Sequence, residues 1–192
     1  MLFSGKIIYI PAPFYPNYKY FHPKKKRMIY SNSDVRRQDR LLDEKSALGL
    51  LKTGEYGVLS VMCTYTGVYG LPLSYVWNDE KALYLHCAQE GRKLRCIDSG
   101  NSVSFCVVGK TNVIPGKFTT EYESIILECS AHRNLPEEER MKALALFVEK
   151  YSPGERAAGL EYARKLSGIT EIIRLDIIKW SGKRKRVDKD DE

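Results

Sequence analysis

A chain of 192 residues, 43% hydrophobic and 29% charged, can bury one good core and is short for two. Its net charge of +7 sits at the ends: residues 1–30 hold six Lys or Arg and no acid, residues 179–192 hold six against four acids, and the 148 residues between carry −1. A body so balanced argues against a nucleic-acid-binding domain, and no apolar run approaches the roughly 18 residues of a membrane span.

In chain order, residues 1–27 carry four of the eight prolines and the run Lys24-Lys25-Lys26-Arg27. Residues 1–30 therefore read as an irregular basic arm lying on the body or on a neighbouring subunit, and Met28 is a second candidate start. The early apolar stretch is cut by Pro11 and Pro13 and precedes its basic cluster, the reverse of a secretion signal, so a cytoplasmic protein is expected. A single folded domain is expected over residues 31–182, with a charged tail over residues 183–192.

Asp43 is placed to cap a helix through Lys52, with Ala47, Leu48, Leu50 and Leu51 on one side and Gly54 as its stop. Tyr56–Tyr65 reads as a first strand. Val68–Val108 then parses as strand, tight turn at Asn78-Asp79, strand, short basic helix and strand. The helix opens with Arg92 and Lys93 after the loop Ala88-Gln89-Glu90-Gly91, and an αL cap is expected at Gly100-Asn101. Gly109–Thr120 reads as a loop, Glu123–Arg133 as a strand with Ile125, Leu127 and Cys129 on one face. Pro136 and three glutamates start a helix that carries Met141, Leu144, Ala145 and Val148 at helical spacing. Ser152-Pro153-Gly154 separates it from a second helix ending at Leu166. Thr170–Trp180 alternates as a closing strand: Ile172, Arg174, Asp176 and Ile178 share one side, Ile173, Leu175, Ile177 and Lys179 the other, and a frayed end begins at Ser181. Four strands packed into residues 56–108 with short connections favour an antiparallel barrel or sandwich over a doubly wound sheet.

The sharpest chemical signal is Arg92-Lys93. A helix N-terminus exposes unpaired N–H groups and a partial positive charge, and two cations there make a seat for a phosphate; the plainer reading is a solvated helix face. His86 lies in an apolar strand that leads into this loop, where it is either a satisfied core residue or faces a cleft. Cys87 lacks an acid-base partner and reads as a packed thiol. Cys63, Cys87, Cys96, Cys106 and Cys129 form an odd set without a CxxC pair, expected as buried free thiols. His22 and His132 have no ligand neighbours at metal spacing, so no metal site is expected.

From Arg37 to Gly182 the chain resembles the 5-nitroimidazole resistance (Nim) proteins, a branch of the pyridoxamine 5'-phosphate oxidase-like flavin-binding split-barrel family. The segments that carry the resemblance are RRQDRLL (36–42), GVLSV (57–61), PLSYVW (72–77), LHCAQEGRKL (85–94), VSFCVV (103–108), FTTEYESII (118–126) and WSGK (180–183). The resemblance implies a mainly β, α+β fold: an antiparallel six-stranded split β-barrel with peripheral helices. It implies a homodimer with FMN, or FAD, at the interface, the flavin phosphate on Arg92 and Lys93 after the loop through Gly91. It places His86, Cys87 and Ala88 on the flavin-contacting end of a strand, and Pro72, Leu73, Ser74 and Tyr75 on the strand whose backbone runs beside the ring. Leu73, Tyr75, Leu85 and Ala88 are candidates for the apolar slot that a ring needs, and Ser74 for a hydrogen bond to it. The phosphate-binding Arg and Lys that true pyridoxamine phosphate oxidases carry on this strand stand here as Leu71 and Val76, which argues against vitamin B6 oxidation.

The leading expectation is a flavin-dependent nitroreductase acting on a small molecule, with His86 as catalytic proton donor or substrate-orienting group. The alternatives are a flavin-binding redox protein without turnover, haem binding through His86, and a nucleic-acid module working through the basic ends.

Overall fold

The computed structural model describes residues 28–64 and 66–187; the N-terminal arm therefore lies almost wholly outside the described residues. Seven strands and four helices follow in the order β1 (Ile29–Tyr30), α1 (Glu44–Thr53), β2 (Tyr56–Cys63), β3 (Gly67–Trp77), β4 (Ala82–Ala88), α2 (Arg92–Ser99), β5 (Ser102–Ile114), β6 (Thr119–His132), α3 (Glu137–Tyr151), α4 (Arg156–Leu166) and β7 (Thr170–Lys185). Strands β7, β4, β3, β2, β5 and β6 pair as antiparallel neighbours, and β6 pairs back to β7, so six strands close into a barrel. The two residues of β1 add to β7 in parallel.

Alternation along each strand fills the barrel: Leu59 and Val61, Leu83 and Leu85, Phe105 and Val107, Ile125 and Leu127, and Ile173 and Leu175 all point inward and are buried. Gly57 is required where Phe105 crosses, since a Cβ there would lie 2.4 Å from the ring. Helix α1 is capped as expected, the Asp43 carboxylate accepting from the Ser46 N–H at 2.8 Å, and its Ala47, Leu50 and Leu51 join the core. Helix α2 contributes Leu94, Cys96 and Ile97 to the same core. A second, smaller cluster on the outer face joins Val76, Tyr84 and Ile172 to Ala143 and Phe147 of α3, against which α4 packs.

Several expectations are corrected. Residues 109–120 are not a loop: β5 and β6 stay paired to Ile114 and Thr119, because the loop-forming Asn112 sits in a ladder that needs only backbone groups, and Pro115–Lys117 alone makes the turn. Helix α2 ends without an αL residue, Gly100 being extended at φ −176°. The β6–β7 ladder slips between Glu128 and Cys129, pairing Glu128 with Lys179 but Cys129 with Ile177. The extra residue, Ile178, shifts the phase of β7, so that Trp180 rather than Lys179 follows Ile177 into the core. The expected frayed end is strand as far as Lys185. Cys63 and Cys96 form a disulfide that ties the end of β2 to α2, leaving Cys87, Cys106 and Cys129 as thiols. Among the described residues no helix is long and apolar enough to cross a membrane.

Candidate functional site

The barrel is split between β3 and β4. These strands pair only at Tyr75–Leu85, Val76–Tyr84 and Trp77–Leu83, next to a turn in which the Asn78 side chain accepts from the Glu80 and Ala82 N–H groups at 3.0 Å. Had the ladder continued in register, Ser74, Leu73 and Pro72 would face His86, Cys87 and Ala88. Instead β4 stays with β7 along its whole length, and β3 from Gly67 to Ser74 pairs only with β2. The six residues singled out on these strands are thus the two lips of one opening.

Backbone parity shows what the free edge offers. The Tyr75 N–H and C=O turn to the Tyr151 hydroxyl on the β2 side, while the Asn78 N–H bonds the Ala82 carbonyl on the β4 side. Alternation then turns the N–H of Ser74 and Gly70 and the carbonyl of Pro72 to the open edge. Proline supplies an acceptor there and no donor.

The side chains of the lips divide by face. Leu73 and Cys87 pack against the barrel core, while Ser74 and His86 face outward into a cavity of about 400 Å³ under α3 and α4. Tyr75 and Leu85 are fully buried, the Tyr75 hydroxyl donating to the Leu51 carbonyl at 2.6 Å. This corrects the expectation that their side chains wall a slot, because β3 and β4 turn them into the barrel. The His86 ring stands edge-on to Phe147 with centroids 4.6 Å apart. Burial, then the charge of Lys93, holds the imidazole below its usual pKa. Burial pushes the Cys87 thiol up, against the pull of neighbouring Lys93.

Strand β4 ends three residues before Gly91, whose φ of 145° suits glycine, and α2 starts with no side chain capping its N-terminus. The Arg92 guanidinium donates to Thr66 Oγ1 at 3.0 Å and lies 4.2 Å over the Tyr69 ring. Free N–H groups, a held guanidinium and the Lys93 ammonium form a donor set that fits a phosphate, with the open β3 edge alongside for a planar group that pairs with backbone. Leu71 and Val76, at the positions of the missing Arg and Lys, pack as apolar residues.

Three parts of the site were absent from the sequence reading. Phe147, Tyr162, Ala163 and Leu166 roof the cavity from α3 and α4. Tyr151 and Lys150 lock the end of α3 to the strands: the Tyr151 hydroxyl donates to the Glu55 carbonyl at 2.5 Å, and Lys150 Nζ bonds the carbonyls of Gly54 and Tyr75 at 2.7 and 3.0 Å. Thr66 fixes Arg92. A cation-aromatic pair closing an amphipathic helix was the one available signal. Outside the cavity, Arg174 bridges Glu139 and Asp176, and His132 pairs with Asp176. Among the described residues no group of three or more His, Cys, Asp or Glu could hold a metal; His22 lies outside them.

A six-stranded barrel opened between two strands, with helices packed outside, is a split barrel of the pyridoxamine 5'-phosphate oxidase-like type. The family model described as Pyridoxamine 5'-phosphate oxidase matches residues 43–184, and the chain belongs to that family. The fold is similar to that of an FAD and haem binding protein from Mycobacterium smegmatis, with 18% identity, TM-score 0.66, and 80% of this chain and 76% of that one covered. It is also similar to a protein provisionally assigned to 5-nitroimidazole antibiotic resistance in Bacteroides thetaiotaomicron, with 14% identity, TM-score 0.60 and coverage of 76% and 86%. An FAD-binding protein from Mesorhizobium loti shares 20% identity at TM-score 0.54, with coverage of 77% and 98%. No curated protein matches the chain.

Proposed function

We propose that this protein is a flavin-dependent oxidoreductase, a nitro-group reductase of the Nim type, with FMN as the expected cofactor and FAD as the alternative. The observation that carries the proposal is the adjacency, along β4 and α2, of the open lips Pro72–Ser74 and His86–Ala88 to the cationic helix start at Arg92-Lys93. Arg92, Lys93 and the first N–H groups of α2 hold the phosphate, and the edge of β3 takes the ring's polar rim. A flavin bound there would supply two-electron chemistry; taking a nitro group to an amine and two waters would require three such transfers and six protons, with an external reductant restoring the flavin between them. His86 faces the side from which substrate arrives, and burial together with the Lys93 charge disfavours its charged form, so its N–H orients a nitro oxygen and can pass on a proton.

The subunits pair through the outer face of β2, β5 and β6. There Met62 and Ile126 are 60% and 49% exposed and Val58, Cys106 and Ile126 are neighbours across the ladders. Light scattering should give twice the chain mass, and Ile126→Lys should return the monomer; a wild-type monomer removes the dimer.

The test of function is to release the cofactor from purified protein, identify it by mass, and follow anaerobic reoxidation of the dithionite-reduced protein by metronidazole. A yellow protein reoxidised in proportion to metronidazole supports the proposal, and a colourless protein that does not take up flavin ends it. A second reading is haem ligation by His86, favoured by a ring that makes no hydrogen bond among the described residues and by the haem-binding description of the M. smegmatis protein. A Soret band lost in His86→Ala would select it.

A further inference from the structure

We propose that the Cys63–Cys96 disulfide is a redox switch for the cation at the start of α2: oxidised, it keeps Arg92 in place to receive a phosphate, and reduced, it frees Arg92 and loosens flavin. The inference rests on the flavin reading above and adds a control over it.

The bond joins the two elements whose relative position sets Arg92. Cys96 lies one helical turn after Arg92, on the same face of α2. Cys63 ends β2, and its carbonyl accepts from the Thr66 N–H at 3.3 Å, while Thr66 Oγ1 accepts from the Arg92 guanidinium at 3.0 Å. Chain, hydrogen bonds and disulfide thus close a ring through Arg92, Thr66, Cys63 and Cys96. Tyr69, whose ring lies beneath the guanidinium, pairs with Val61 of β2 and so belongs to the Cys63 side of the same link. No side chain caps the N-terminus of α2, which leaves the disulfide as the covalent tie between the helix and the groups that support Arg92.

A dithiol opens that ring. Its two S–H groups give up their hydrogens and close a disulfide, the Cys63–Cys96 bond breaks, and each protein sulfur takes one electron and one proton. The start of α2 is then held by the packing of Leu94 and Ile97, and Arg92 is no longer fixed against Thr66 and Tyr69. Side-chain freedom that the oxidised protein has already surrendered must now be given up when a phosphate arrives, so binding weakens. The coupling is reciprocal: a phosphate drawn to Arg92 opposes reduction by the same factor. Both cysteines are buried, at 6% and 4% exposure, so a reductant reaches them only when α2 lifts, a movement that a ligand on its first turn also resists.

The experiment titrates FMN and FAD into the cofactor-stripped full chain, once after oxidation with oxidised dithiothreitol and once after reduction with dithiothreitol and desalting under argon. Alkylation of the denatured protein, read by mass, reports the state: three cysteines, Cys87, Cys106 and Cys129, should react in the oxidised form and all five in the reduced. Reduction should raise the flavin Kd at least about fivefold. Saturating flavin should lower the reduction potential of the pair by the same factor, about 20 mV or more, a shift that a disulfide serving stability alone would not show. In Arg92→Ala both effects should shrink to less than about twofold. Equal flavin affinity in the two states overturns the inference and leaves the flavin reading standing. A protein that binds flavin in neither state ends the flavin reading and this inference with it. Coupling that persists in Arg92→Ala, or five alkylated cysteines after oxidation, also overturns the switch.

Discussion

Replacing Arg92 by alanine tests the proposed phosphate seat, because the guanidinium is held in place by its neighbours before any ligand arrives. Thr66 Oγ1 accepts from it at 3.0 Å and the Tyr69 ring lies 4.2 Å beneath, so little side-chain freedom is left to lose on binding. A charge-assisted hydrogen bond to phosphate contributes about 1.5–3 kcal/mol, which converts to a rise in flavin Kd of roughly 10- to 150-fold for Arg92→Ala. Lys93→Ala should act on the same scale, whereas Thr66→Val removes only the support of Arg92 and should cost less than either. The control is Arg95→Ala, which deletes the same charge one turn along α2 from an exposed position. Flavin fluorescence titrations on cofactor-stripped protein at two salt concentrations give the four constants. If Arg95→Ala weakens binding as much as Arg92→Ala, the effect is diffuse electrostatics and no seat exists. A change under threefold for Arg92→Ala refutes the assignment outright.

Three further outcomes follow from the packing. Reducing the Cys63–Cys96 bond, which closes a 33-residue separation, should cost about 2–4 kcal/mol in chemical denaturation; an unchanged midpoint would mean α2 is held by Leu94 and Ile97 alone. Tyr151→Phe strips a hydroxyl from the backbone groups of Glu55 and Tyr75 and should cost about 1–3 kcal/mol, read as a lower melting temperature, with no loss meaning that water replaces it. Burial pushes Lys150 down to about 8, below its unfolded value of 10.5, so between the two the unfolded chain holds more protons and stability rises with pH. Lys150→Met should flatten that rise from pH 8 to about 10, above which the raised Tyr75 and Tyr84 withdraw stability; an unaltered slope would place the ammonium in water.

What could be read from the sequence was local. Asp43 caps α1 because a carboxylate three residues before an N–H needs nothing distant, and the inward alternation of β2 and β6 is carried by each strand alone. The placing of Arg92 and Lys93 at a helix start and of His86 on a strand was legible for the same reason, since each depends only on its immediate sequence neighbours. Apart from the cap at Gly100, the misses depend on partners. Asn112 looked like loop until β6 ran opposite it, Ile178 became a bulge only against β6, and Cys63 meets Cys96 through the barrel end. The cavity roof was hidden because Phe147 and Ala163 read as ordinary amphipathic positions, and only the crossing at Gly159 makes a space between them.

The location of the site depends on which neighbour β4 keeps. Its seven residues all pair with β7, from Ala82–Asp176 to Ala88–Thr170, and only three pair with β3. Strand β7 can hold it that far because Ile172, Ile173 and Leu175 are all fully buried, one outward against α3 and two inward. Strand β3 offers Pro72 over the corresponding length, a residue without an N–H to donate. The split therefore opens on the β3 side, and β4 carries His86 outward and Cys87 inward on the register set by β7. That register also delivers the chain to Gly91 at the start of α2, while β7 begins where α4 ends. A slip of one residue would turn His86 into the barrel and Cys87 toward the cavity. The cationic helix start, the imidazole and the cavity roof thus hang on a single ladder, and the β3 edge is the open face that it leaves.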